Sequence, residues 1–161
     1  MTQIRIRNAD KSDARLILDL ITELAVYEKA EHEVVTTEEE IAATLFGDES
    51  KAKALICEIA DKPVGYAVYF YNYSTWLGKN GIYLEDVYVT PDYRGLGAGK
   101  ALLKHIARIA VAENCGRFEW SVLDWNQPAI DFYESIGARP QDEWTIYRLT
   151  GTALNQFAEQ E

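Results

Sequence analysis

The stretch from Ile82 to Ala110 constrains the fold more than any other part of this 161-residue chain. Ile82-Tyr83-Leu84-Glu85-Asp86-Val87-Tyr88-Val89 has the β-branched and aromatic content of a strand. After Pro91 comes a turn, Arg94-Gly95-Leu96-Gly97-Ala98-Gly99-Lys100, and then Leu102, Leu103, Ile106, Ile109 and Ala110 recur at helical spacing. A strand that enters a glycine-rich turn and leaves as a helix outlines an anion site. Glycine lets the backbone approach closely, and N–H groups at the helix start point outward where the macrodipole favours negative charge. Arg94, Lys100 and Lys104 add local positive charge. A further strand from 117 to 123 completes a strand-helix-strand unit, which predicts a mixed α/β domain.

The rest of the chain fits around that unit. Ile4-Arg5-Ile6-Arg7 alternates as a strand, and Asp10 or Ser12 can cap a helix whose Leu16, Ile17, Leu20, Ile21 and Leu24 form one buried face as far as about Tyr27. Thr37 followed by Glu40 has the capping-box spacing and opens a shorter helix through Ile41, Ala42 and Leu45 to about Gly47. Strand-like runs at 54–59 and 64–70 flank Asp61-Lys62-Pro63, a hairpin turn. Asn126 can cap, and Pro128 can occupy the first turn of, a helix that Gly137 stops. Trp144 to Leu149 alternates as a last strand. With no linker, repeat or low-complexity tract, residues 1–161 are expected to form a single domain, and an apolar fraction of 48% is ample for its core.

The net charge of −10 argues against nucleic-acid binding, since phosphate backbones need a basic surface, and favours a cationic partner. Between Asp19 and Ser50 the only strong base among many acids is Lys29. No apolar run approaches the length of a membrane span. The start, Met1 to Arg7, alternates instead of presenting a basic head and apolar body, so a cytoplasmic protein with no membrane partner is expected. Cys57 and Cys115 lack metal-ligand spacing and read as buried thiols; His32 and His105 form no local metal or nucleophile motif. No metal site is expected.

Neither familiar nucleotide motif fits the glycine turn: no Gly-Lys-Ser/Thr ending is present, and Gly95, Gly97 and Gly99 miss the dinucleotide spacing. What fits is Arg-x-x-Gly-x-Gly from Arg94 to Gly99, after Val89-x-Pro91-x-Tyr93, which resembles the pyrophosphate-binding motif of the GNAT acetyltransferases. Tyr27-Glu28, Tyr83-Leu84-Glu85-Asp86, Tyr93-Arg94-Gly95, Trp125-Asn126 and Phe132-Tyr133 follow the order and spacing of the diamine N-acetyltransferase family, which includes the spermidine/spermine enzymes. Tyr73-Ser74-Thr75-Trp76 and Val122-Leu123-Asp124-Trp125-Asn126-Gln127 are most similar to its thialysine-acetylating branch. Where the polyamine branch places an acid, two residues before Trp76, this chain has Ser74.

The resemblance implies a GNAT fold: an α/β domain with a mixed, mostly antiparallel central sheet of about six to seven strands flanked by helices. It implies a homodimer, with acetyl-CoA as co-substrate and a small cationic amine (diamine, polyamine or thialysine-like) as acceptor. Acetyl-CoA contacts carry over to Val87, Tyr88 and Val89, to the turn of Arg94, Gly95, Leu96, Gly97, Ala98, Gly99 and Lys100, and to Asn126, Gln127, Pro128 and Ala129. Amine contacts carry over to Tyr27, Glu28 and Glu85. Glu85 is also the position of the presumed base, and Tyr133 that of the catalytic tyrosine. An alkylammonium must lose its proton before it attacks a thioester, directly in a ternary complex, and a carboxylate suits that task. Departing sulfur is better protonated, which suits a phenol, and a main-chain N–H near Val87 suits a developing oxyanion if the strand splays there. By residue chemistry alone Glu85 equally suits a solvent-facing strand acid, Tyr133 a packed aromatic and Asp86 a structural role. Two other functions fit the same motifs: a GNAT enzyme acting on a protein N-terminus, a lysine side chain or an aminoglycoside, and a CoA-binding regulatory module without catalysis.

Overall fold

An antiparallel meander carries the architecture: β2 (Ala52–Ile59), β3 (Lys62–Ser74) and β4 (Lys79–Val89). β1 (Ile4–Asn8) joins antiparallel to β2, and β5 (Phe118–Trp120) joins parallel to β4, giving the order β1-β2-β3-β4-β5. The computed structural model describes residues 3–161; Met1 and Thr2, the head of the alternating start, lie outside the described residues. The chain divides into two compact units, Met1–Leu123 and Asp124–Glu161.

In the first unit, α1 (Ala14–Tyr27) buries Ile17, Leu20 and Leu24, the face its periodicity predicts. Asp10 caps the short turn Lys11–Asp13 ahead of it: Ser12 N–H donates to Asp10 at 2.9 Å while Asp10 N–H donates to Asp13 at 2.9 Å. Arg7 donates to both Asp13 oxygens at 2.8 and 2.9 Å and holds that carboxyl below the usual carboxylate range. Buried Glu58 accepts from Arg5 and Arg7, so the first strand is clamped to its neighbour and to the start of α1. α2 (Glu38–Phe46) shows half of the expected capping box. Thr37 accepts from Glu40 N–H at 3.1 Å, but the Glu40 carboxylate is met by the Thr36 hydroxyl instead.

Ile17, Leu20, Leu24 and Ile41 pack with Ala54, Ile56, Tyr66 and Tyr88 on one face of the sheet. Each such aliphatic side chain contributes about 1.5–3 kcal/mol on burial. Against the sheet also packs α3 (Ala98–Ala112), burying Leu102, Leu103 and Ile106 and making the crossover between parallel β4 and β5. The β2–β3 turn is tighter than Asp61-Lys62-Pro63: Ala60 and Asp61 form it with φ of +50° and +65°, and Lys62 already belongs to β3.

The second unit contains α4 (Gln127–Ser135) and α5 (Gly151–Glu159), joined by irregular chain. The sheet has five strands among the described residues, not the six to seven expected. The missing strand is Trp144–Leu149, which carries no ladder and leaves Ile146 74% and Tyr147 94% exposed. Alternation supplies the side-chain pattern of a strand but not its hydrogen-bonding neighbour. Asn126 stands at the N-cap position of α4, yet its side chain makes no capping hydrogen bond.

Candidate active site

The chemistry-bearing part of β4 begins where its regular pairing ends. Cross-strand partners run Val68↔Asp86 and then Tyr69↔Leu84, so Glu85 is the inserted residue of a β-bulge. Partners share a face of the sheet, and Val68 packs on the α1–α2 cluster, so Asp86 faces α1. Leu84 faces the other way with Tyr69, and Glu85, an exposed residue, is the extra step between Leu84 and Asp86. On the opposite edge, the β4–β5 ladder stops at Leu84↔Trp120 while β4 continues to Val89. Thr90 N–H donates to the Val64 carbonyl on β3 at 2.8 Å. Counting back by the period of two, the peptide groups of Val89 and Val87 point away from β3, into the gap beyond the end of β5. The parallel ladder thus ends three residues before Val87.

β4 leads through Pro91–Tyr93 into the glycine turn. Gly95 and Gly97 have φ of +78° and +92°, a region that side-chain-bearing residues rarely adopt. The turn is exposed at Gly95, Leu96 and Gly97, a Cβ on Gly95 would meet nothing within 4 Å, and Ala98 is buried as the first residue of α3. Gly99 lies against Val89, where its ideal Cβ would be 3.9 Å from Val89 Cγ2. The result is an open backbone concavity at the N-terminus of a helix of 15 residues. Such a cradle fits a phosphate group, whose oxygens main-chain N–H groups can reach without a side chain intervening.

Arg94 does not extend into that concavity. Its Nε donates to the Val89 carbonyl at 2.9 Å, and its guanidinium carbon lies 5.1 Å from the Tyr27 ring centroid and 5.2 Å from that of Tyr88. Tyr27 ends α1, and Glu28 beside it lines a cavity of about 270 Å³. Glu28, Glu33 and Asp86 supply its carboxylates, and Ile21, Leu24 and Val34 its apolar wall. Burial pushes the Asp86 carboxyl up, against the opposing effect of the Tyr66 hydroxyl, which donates to it at 2.7 Å. Burial, and then the Asp86 charge, push Glu28 up too. Tyr66 is buried and its own ionisation is raised by burial and by Asp86, so it remains a donor. An acidic cavity with an apolar wall lowers its own electrostatic cost by admitting an alkylammonium.

In the second unit, Gln127, Pro128 and Ala129 make the first turn of α4, preceded by Asn126, and half-buried Tyr133 lies further along the same helix, 5.9 Å ring to ring from Phe132. Residue-by-residue reading missed the bulge that sets the face of Asp86, the Tyr66 partner of that acid, and the ring contacts of Arg94. The first had a signal in the sequence: the apolar phase of the strand slips from Ile82 and Leu84 to Val87 and Val89, as a one-residue insertion at Glu85 requires. Cys57 is fully buried, and burial pushes its thiol up to about 11, whereas Cys115 is only half-buried. Neither thiol has the lowered ionisation of an activated nucleophile. Among the described residues no group of His, Cys, Asp and Glu could hold a metal ion, and no helix is long and apolar enough to cross a membrane.

An exposed glycine turn at a helix N-terminus and a cavity lined by carboxylates, joined by β4, suit a group transferase with two unlike substrates. Comparison with known proteins names the class. Residues 17–138 match the Acetyltransferase (GNAT) family, and the chain belongs to it. Thialysine N-epsilon-acetyltransferase of Sus scrofa is 41% identical, over 98% of this chain and 99% of its own. L-ornithine N5-acetyltransferase of Arabidopsis thaliana is 33% identical, over 93% and 86%. Among solved structures, an integron cassette protein from the mobile metagenome of V. cholerae superposes with a TM-score of 0.82 at 30% identity, covering 98% of both chains. The protein is an N-acetyltransferase, and acetyl-CoA is the co-substrate of its family.

Proposed function

We propose that this enzyme acetylates the terminal primary amine of a small acceptor carrying a second charged centre, such as a diamine, ornithine or a thialysine-like amino acid. The observation that carries this reading is the cavity between α1 and β4, whose Glu28, Glu33 and Asp86 face an apolar wall. Carboxylates there hold the cationic end, and Ile21, Leu24 and Val34 cover the alkyl arm. The acceptors in the names of the two relatives agree with it, since each has an amine at the end of an alkyl chain.

Acetyl-CoA brings an acetyl group already activated as a thioester. The chain's own part is to bind and to move protons. Main-chain amides from Gly95 to Lys100 receive the pyrophosphate, with Asn126 to Ala129 and the edge of β4 from Val87 to Val89 along the rest of the co-substrate. Val87 N–H, in the gap where β5 has ended, is the donor for the acetyl oxygen. Glu85, directly or through water, draws the proton from the ammonium, after which the amine attacks in a ternary complex and Tyr133 protonates the departing sulfur. Residues 1–161 thereby act as a single acetyltransferase domain, a reading that the family match across 17–138 supports. The exposed apolar side chains of Ile146 and Tyr147 suit a homodimer, and the acidic, small-amine chemistry suits the cytoplasm.

An acceptor screen with acetyl-CoA, read by free-thiol release, tests the proposal. Diamines, ornithine, lysine and thialysine should be turned over with kcat/KM at least about tenfold above monoamines of equal length, which lack the second charged centre. Preference for a neutral or acidic acceptor overturns the charge argument. Coenzyme binding without transfer to any amine makes the chain a binding module.

A further inference from the structure

Arg94 is the residue at which motif and structure part company. Its place in Arg-x-x-Gly-x-Gly suggests a charge for the pyrophosphate, but three separate contacts turn the side chain the other way. Nε is committed to the Val89 carbonyl at 2.9 Å, and the guanidinium lies about equally far, 5.1 and 5.2 Å, from the rings of Tyr27 and Tyr88. Both distances are within the range in which an aromatic face attracts a cation. A planar guanidinium can stack on rings while its N–H groups bond in the plane; a lysine ammonium cannot do both.

The two rings stand on different elements. Tyr88 lies on β4 and its hydroxyl donates to Glu23 of α1 at 3.3 Å, while Tyr27 is the last residue of α1, directly before the cavity acid Glu28. Arg94 therefore ties the end of α1 to the end of β4, the two elements that hold Glu28 and Asp86. We propose that Arg94 is a positioning residue of the amine site, fixing the Tyr27–Glu28 wall of the cavity against β4, and that the coenzyme pyrophosphate is held by the main chain from Gly95 onward without it. The proposal rests on the amine-acetylating reading given above.

Arg94→Lys keeps the charge and removes the stack, so it separates the two roles. The acceptor KM should rise about 5- to 30-fold, the factor that one or two ring contacts to a cation are worth. Turnover at saturating acceptor should stay within about threefold, and the calorimetric Kd for coenzyme A within about twofold. Tyr27→Leu should reproduce the acceptor effect, and the double variant should be no worse than the poorer single one, because Arg94 acts through that ring. A tenfold weaker Kd for coenzyme A in Arg94→Lys with an unchanged acceptor KM would overturn the proposal, as would fully additive singles. If Arg94→Lys fails to fold, Arg94→Gln decides on the same two readouts. Wild-type protein that acetylates no amine removes the underlying reading; active wild type with the opposite pattern in the variants removes this inference alone.

Discussion

Gly65→Ala is the most informative single perturbation of the sheet. Gly65 pairs with Val89 where β4 approaches the glycine turn, and its ideal Cβ would lie 2.6 Å from the Tyr88 carbonyl oxygen, 3.2 Å from Val89 Cγ2 and 3.3 Å from Val89 Cα. Ordinary contact begins at 3.4 Å, so β3 and β4 must separate by 3.4 − 2.6 = 0.8 Å at the oxygen. Two of the obstructing atoms are backbone, which cannot rotate aside. Overpacking of this kind costs about 1–3 kcal/mol, or roughly 2–12 °C in Tm for a chain of this size. The same displacement moves the Val87 and Val89 peptide groups relative to the cradle, and misplacement by about 1 Å costs on the order of 100-fold in rate. Urea unfolding gives the first quantity, and thiol release at saturating acetyl-CoA gives the second. A variant within about 0.5 kcal/mol of wild type and with unchanged kcat/KM would refute the claim that this close approach sets the position of β4.

Three further outcomes test other parts of the site. Asp86→Asn should stabilise the fold at neutral pH while raising the acceptor KM. Burial raises the Asp86 carboxyl, so the folded state holds that proton more tightly than the unfolded one, and stability falls as pH climbs past about 4 and through the raised value. The melting advantage of Asp86→Asn should accordingly shrink as pH is lowered towards 4; a constant difference between pH 4 and 8 would contradict it. Gly97→Ala places a side chain at φ of +92°, which should cost about 1–2 kcal/mol and weaken coenzyme A in calorimetry at least tenfold, with the acceptor KM little changed. Tyr133→Phe should lower kcat at least about tenfold with little change in coenzyme affinity; unchanged turnover takes Tyr133 out of the mechanism.

Much of the first unit was legible because periodicity and burial coincide there. Leu16 to Leu24 and Leu102 to Ala110 repeat at helical spacing and bury the faces that spacing implies, and the glycine turn sits between strand and helix where its residues place it. What could not be read depends on neighbours. Trp144 to Leu149 alternates well enough for a strand, yet a strand exists only when another edge accepts its hydrogen bonds. Counting by twos from Leu84 would put Asp86 on the face away from α1, and only the bulge at Glu85 reverses that count; Arg94 packs beside two rings that come from distant segments. The Ala60–Asp61 turn was misplaced by a residue or two because neither residue is the glycine that positive φ usually calls for.

The extra residue in β4 also separates what the strand needs from what the enzyme needs. Removing Glu85 would leave Leu84 opposite Tyr69 and Asp86 opposite Val68, an uninterrupted ladder in which every flanking side chain keeps its present face. The shortened chain would thus be the more regular sheet and the poorer catalyst. The carboxylate we propose as the base is a single added step in the backbone, and the register on either side of it closes without it.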